Sequence, residues 1–235
     1  MIRAVFIDID NTLLDFDAYV EGSMRDGFEK FGLPPFEPHM ARTFKRINEG
    51  LWQKIERGEL DLEGLRENRW NIIFAALGID FDGGTFEDFF RDRLFYSAVP
   101  VRGATDMLSY LEPKYILCAA SNGPKPQQMN RLALAGMDKY FSFFFISGGM
   151  GHSKPSPEFF RAATEEINAS QKARGERVIM PGEVMIIGDS LSSDIAGGKA
   201  AGFKTCYFNR LHAAIPEGAA PDYVIGELGA VRGIL

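Results

Sequence analysis

Two aspartates, Asp8 and Asp10, stand two residues apart at the end of the apolar run Ala4 to Ile9. Two more, Asp189 and Asp194, follow the equally apolar Val184-Met185-Ile186-Ile187. On a chain that is still extended, a spacing of two puts both carboxylates on one face, where their repulsion demands a cation or a shared proton. Hard oxygens of this kind suit Mg2+. After the apolar run Tyr115 to Ala120 comes Ser121-Asn122-Gly123, whose hydroxyl, amide and permissive glycine can bend the backbone round an oxyanion. Lys154-Pro155 precedes a helix start at Pro157, and a lysine kept outside that helix can neutralise a phosphate. Taken singly, each cluster also reads as turn and cap residues or, for Lys154, as an exposed side chain. Taken together, they deliver four carboxylates, a hydroxyl and a lysine after strand-like runs, which turn chemistry does not predict.

The elements that must position these residues are legible as short β-branched and aromatic runs at Ala4 to Ile9, Tyr115 to Ala120, Phe143 to Ser147, Val184 to Ile187, Thr205 to Phe208 and Tyr223 to Ile225. Their continuous apolar character predicts a sheet covered on both faces. Helical patterns at Ala104 to Leu111, Pro126 to Ala135, Pro157 to Ile167 and Ser192 to Ala201 alternate with the later runs. That alternation predicts an α/β fold, a Rossmann-like doubly wound parallel sheet. Ala169 to Gly182 reads as a polar, solvated loop. Between the first two runs the chain is far longer than a crossover needs, and it carries helical patterns at Ala18 to Phe31, Met40 to Gly58, Leu62 to Leu77 and Phe86 to Tyr96. An α-helical subdomain over residues 16–99, inserted into a core of residues 1–15 and 100–235, is expected.

Length and charge agree with that frame. A chain of 235 residues suits one large domain or a domain with an insertion. The balance of 26 Lys+Arg against 32 Asp+Glu, a net −6, argues against a surface for a nucleic-acid polymer. Cys118 and Cys206 lie in apolar runs and read as buried reduced thiols, while His39, His152 and His212 show no metal-ligand spacing. Asp8 and Asp10 interrupt the apolar start before a secretory leader can form, and no run approaches the about 18 residues needed to cross a bilayer. A cytoplasmic protein without a membrane segment is expected.

In order and spacing, Asp8-Ile9-Asp10-Asn11-Thr12, Ser121, Lys154 and Gly188-Asp189 with Asp194 resemble the four motifs of the haloacid dehalogenase-like hydrolase superfamily. The insertion after the first motif resembles that superfamily's subfamily I helical cap. The resemblance implies that Asp8 is a nucleophile forming an aspartyl-phosphate, Asp10 a general acid and base, and Lys154 a partner to Asp8. It implies that Ser121 and Asn122 bind phosphoryl oxygens. It further implies Mg2+ held by Asp8, the backbone carbonyl of Asp10, Asp189 and, in support, Asp194. An aspartate at position 10 sets the chain apart from the dehalogenase branch and beside phosphatases and phosphomutases. The cap segments Asn48-Glu49-Gly50-Leu51-Trp52 and Glu56-Arg57-Gly58-Glu59-Leu60, with Leu65 and Arg69, resemble the pyrimidine 5'-nucleotidase branch. There Arg69 and Trp52 would contact substrate by charge and by stacking, although the apolar residues among them also read as helix packing. The expectation is a phosphatase for a small phosphorylated metabolite such as a nucleoside 5'-monophosphate. The alternatives are a phosphoglycolate or sugar phosphatase, a phosphomutase, and a non-catalytic phosphate-binding protein.

Overall fold

A computed structural model describes residues 1–235. It contains β1 (Ala4–Ile7), then α1 (Phe16–Lys30), α2 (Pro38–Glu56), α3 (Leu62–Leu77) and α4 (Gly83–Phe95). These are followed by α5 (Ala104–Leu111), β2 (Ile116–Ser121), α6 (Lys125–Leu134), β3 (Phe143–Ile146) and the short α7 (Ser147–Met150). The chain continues through α8 (Pro157–Ala173), β4 (Val184–Gly188), a π-helical turn at Leu191–Ile195, α9 (Ala196–Ala200), β5 (Lys204–Phe208) and β6 (Tyr223–Ile225). Two compact units result, one of Met1–Asp15 with Pro100–Leu235 and one of Phe16–Val99.

In the first unit six parallel strands lie in the order β3-β2-β1-β4-β5-β6. The strand period of two divides the sheet residues between two apolar layers. Val5, Ile7, Leu117, Ala119, Met185 and Ile187 pack with α5 residues such as Met107 and Leu108 on one face. Ala4, Phe6, Cys118, Ala120, Val184 and Ile186 pack with Phe159, Phe160, Ala163 and Ile167 of α8 on the other. Burial on both faces explains why these strands read as unbroken apolar runs. Because β2 and β4 flank β1 on opposite sides, the sheet order reverses there, and open α/β sheets bind ligands beyond the strand ends at such a point.

Two expectations about elements change. Regular β1 stops at Ile7, although the Asp8 backbone N–H still donates to Ile187 O at 2.9 Å, and Asn11 turns the chain with a φ of 60°. Asp8 and Asp10 are therefore not two residues of one regular strand. Helix α8 also runs on through Ala173, into the segment expected to be loop, because Ala169 to Ala173 are compatible with helix and Gln171 is buried. The chain leaves that helix at Gly175, whose φ of 71° suits glycine.

The helical unit has its own core, in which Met24, Phe28, Phe44, Trp70, Ile73, Phe74, Phe86 and Phe90 meet. Asp61 caps α3 by accepting from Gly64 N at 2.7 Å, and Asp82 caps α4 by accepting from Thr85 N at 2.7 Å. Tight aromatic packing, including Trp70 on Phe86 at 4.2 Å between ring centroids, holds α3 against α4.

Candidate active site

The carboxyl ends of the adjacent strands β2, β1 and β4 deliver Ser121, Asp8 and Gly188-Asp189 to one region. Lys154, from the segment before α8, reaches them. Its ammonium has three protons, and all three are placed: to Asp8 Oδ1 at 2.7 Å, to Asp194 Oδ1 at 2.6 Å and to Ala120 O at 2.7 Å. Lys154 is 1% exposed and Asp194 equally so, which makes this a buried, hydrogen-bonded charge cluster and not a surface ion pair.

The segment carrying Lys154 is held by Asn122. Its side-chain Nδ2 donates to Lys154 O at 2.7 Å, and its Oδ1 accepts from Lys154 N at 2.8 Å. Thr12 Oγ1 donates to Asp8 Oδ2 at 3.2 Å, while Asp194 Oδ2 accepts from Ser190 N at 3.1 Å. Gly188 makes room for the second of these aspartates: a β-carbon there would lie 2.1 Å from Asp194 Oδ2.

Burial is the largest influence on Asp8 and raises its pKa from 3.8 to about 7, with Asp194 and Asp10 adding to the rise and Lys154 opposing it. Burial acts against the Lys154 ammonium, but Asp194 and Asp8 outweigh it and its pKa rises. Carboxylate oxygens of Asp8, Asp189 and Asp194 lie within 4.8 Å of one another. Three hard oxygen donors at this separation, with Asp8 discouraged from ionising alone, fit a small divalent cation such as Mg2+. The Asp10 carboxylate is not in this set.

Asp10 instead faces α6. Arg131 Nη1 donates to its Oδ1 at 2.6 Å and Gln128 Nε2 to its Oδ2 at 2.7 Å. Beside Lys154, the one lysine that the sequence motifs bring to the four aspartates, Arg131 is thus a second cation at the site, 1% exposed. Gln128 Nε2 also donates to Ser121 Oγ at 2.7 Å, and Gly123 N donates to the same oxygen at 3.1 Å. With two donors already on it, the Ser121 hydroxyl is left to donate its own proton. Sequence reasoning missed Gln128 and Arg131 because polar residues in a helix ordinarily face water. The available signal is the stripe Gln128, Arg131, Leu132, which shares one face at spacings of three and four.

The two residues expected to meet substrate from the helical unit sit differently from each other. Trp52 is half-buried on α2. Arg69 is 5% exposed and already paired inside the unit. Its Nε and Nη2 donate to Glu87 at 3.0 and 2.6 Å, its Nη1 donates to Asn48 Oδ1 at 3.2 Å, and it lies over the Phe90 ring.

Comparison with known proteins supplies relatives for this geometry. The HAD-hydrolase YfnB of Bacillus subtilis is 31% identical over 234 residues, covering 99% of this chain and 95% of that protein. Its crystal structure, solved bound to magnesium, matches with a TM-score of 0.87 at 30% identity, covering 100% of this chain and 98% of that one. Pyrimidine 5'-nucleotidase PynA of Streptococcus pneumoniae is 29% identical, covering 95% of this chain and 90% of the relative. Pyrimidine 5'-nucleotidase YjjG of Escherichia coli is 27% identical, covering 98% and 96%. Residues 2–202, which include Asp8, Ser121, Lys154, Asp189 and Asp194, match the haloacid dehalogenase-like hydrolase family, and the chain belongs to it.

Proposed function

We propose that the protein is a Mg2+-dependent phosphomonoester hydrolase that works through an aspartyl-phosphate on Asp8. The observation that carries this reading is the Asp8 carboxylate hydrogen-bonded to Lys154 at the end of a central strand, within a cluster of three aspartates. In the first half-reaction an Asp8 oxygen forms a bond to phosphorus while the ester P–O bond breaks, and Asp10 gives its proton to the departing alkoxide. In the second, water attacks phosphorus, Asp10 takes its proton, and Asp8 leaves as carboxylate with inorganic phosphate. Ser121 and the backbone amide of Asn122 donate to phosphoryl oxygens, and Lys154 holds Asp8 in place and balances charge in the transition state. Asp8, Asp189 and the Asp10 backbone carbonyl, with Asp194 in support, would hold Mg2+, whose charge lets an anionic nucleophile approach an anionic phosphate.

The substrate class we favour is the nucleoside 5'-monophosphates, because PynA and YjjG, two relatives aligned along nearly the whole chain, are named as pyrimidine 5'-nucleotidases. Half-buried Trp52 is the helical unit's candidate for stacking on a base, and Arg69 its candidate by charge if it can leave Glu87. The test is a panel of nucleotides, hexose phosphates and phosphoglycolate compared by kcat/KM with Mg2+. A pyrimidine nucleotide is expected to lead. A hexose phosphate or phosphoglycolate outrunning every nucleotide would contradict the substrate class and leave the reaction class standing.

A further inference from the structure

The acid/base and phosphate-binding positions are joined by two side chains of α6, Gln128 and Arg131. Arg131 is a donor only, and its Nη1 reaches both Asp10 Oδ1 at 2.6 Å and Gln128 Oε1 at 2.9 Å. Its contact with Oε1 settles which way the Gln128 amide faces, since the amide nitrogen cannot accept from a guanidinium. Gln128 Nε2 must then point the other way, where its two protons meet Asp10 Oδ2 and Ser121 Oγ, each at 2.7 Å. Gln128 is fully buried, whereas the Asp10 side chain keeps 34% of its surface exposed. Arg131 and Gln128 thus hold one side of each Asp10 oxygen and leave the outward lone pairs for a proton and a reacting group.

We propose that Arg131, acting directly and through Gln128, is the positioning residue that holds the Asp10 carboxyl at the angle needed for proton transfer to the leaving group. The same chain of hydrogen bonds forces the Ser121 hydroxyl to donate outward, so acid orientation and phosphate docking are set together. A buried arginine in this place is worth keeping for a reason beyond stability, because a buried ion pair replaced whole by apolar groups is often neutral or stabilising. This inference rests on the assignment of Asp10 as the general acid, and its test separates the two.

Protonation of the leaving group matters for a poor leaving group and hardly at all for a good one. The experiment therefore compares kcat/KM for p-nitrophenyl phosphate, an aryl ester with a stable phenolate leaving group, and for a nucleoside 5'-monophosphate, an alkyl ester whose leaving group is the nucleoside alkoxide. The enzymes are wild type, Asp10→Asn, Arg131→Met, Arg131→Lys and Gln128→Met, with circular dichroism on each. Arg131→Met is expected to lose at least about 10-fold more on the alkyl ester than on the aryl ester, within the range typical of general acid catalysis. Arg131→Lys should recover part of that selective loss, and Gln128→Met should show it in milder form. If Asp10→Asn loses the alkyl ester selectively but folded Arg131 and Gln128 variants lose both esters equally, the positioning role is overturned and the Asp10 assignment survives. Equal losses in Asp10→Asn itself would overturn both. Should Arg131→Met fail to fold, Arg131→Lys and Gln128→Met decide by the same ratio.

Discussion

The ammonium of Lys154 stands 2.7 Å from Asp8 Oδ1 in a site almost closed to water. Asp194 Oδ1, 2.6 Å from the same ammonium, shares it. One positive charge is divided between two buried carboxylates, with Asp189 beside them. Burial first, with Asp194 adding to it and Lys154 only partly opposing, raises the Asp8 pKa to about 7, and this ties cation binding to pH.

A cation that binds the Asp8 carboxylate must displace the proton carried there below about pH 7. The folded pKa lies above the ordinary 3.8, so in the metal-free protein this group contributes stability at low pH that is lost as the pH rises through about 7. Mg2+ is expected to restore what is lost. Its dissociation constant, followed by calorimetry, should weaken by up to about 10-fold per pH unit below 7 and level off above it. The rise in melting temperature on adding Mg2+ should be larger at about pH 8 than at about pH 6. A constant affinity across that range would contradict the proton competition.

Gly188 has only its second α-hydrogen where any other residue would place a carbon 2.1 Å from Asp194 Oδ2. Asp194 has little freedom to yield, since one oxygen meets Lys154 and the other the Ser190 amide. Gly188→Ala should destabilise the protein by about 1–3 kcal/mol and weaken Mg2+ binding together. Denaturant unfolding with a Mg2+ titration checks both, and a variant with wild-type values in each would show that the pocket adapts.

Arg69 and Glu87 form a two-point ion pair buried in the helical unit. Arg69→Met alone leaves Glu87 buried without its partner and should cost about 3–5 kcal/mol. The double variant Arg69→Met, Glu87→Met should recover most of it. Unchanged melting of the single variant would show that the pair holds nothing together. If the double variant melts normally yet has a raised KM, Arg69 has a substrate role as well.

Much of this was readable because the sheet is buried on both faces. Asp8, Ser121 and Asp189 each follow an apolar run, so their places at strand ends were plain, and Lys154 was marked by the proline-led start of α8. Helix interiors were harder. Arg69 falls four residues after Leu65 and four before Ile73, on a buried stripe, yet its charge suggests the surface until Glu87 is seen to neutralise it. Arg131 was hidden in the same way, its partner Asp10 being 121 residues away. Pairing over such separations is a property of the fold and leaves no local signal. The end of helix α8 is obscured for the opposite reason, since Lys172 and Arg174 look like loop although the helix runs through Ala173 and the chain turns away at left-handed Gly175.

The central claim is that phosphorus is transferred to Asp8. With p-nitrophenyl phosphate the first half-reaction needs little help from an acid, while the second still needs Asp10 to activate water. Asp10→Asn should therefore accumulate the aspartyl-phosphate. Acid quenching, borohydride reduction of the acyl phosphate and peptide mass spectrometry are predicted to find position 8 converted to homoserine, with no homoserine formed in Asp8→Asn. Phosphate release at an undiminished rate by Asp8→Asn, or a phosphoryl group on any other residue, would contradict the account.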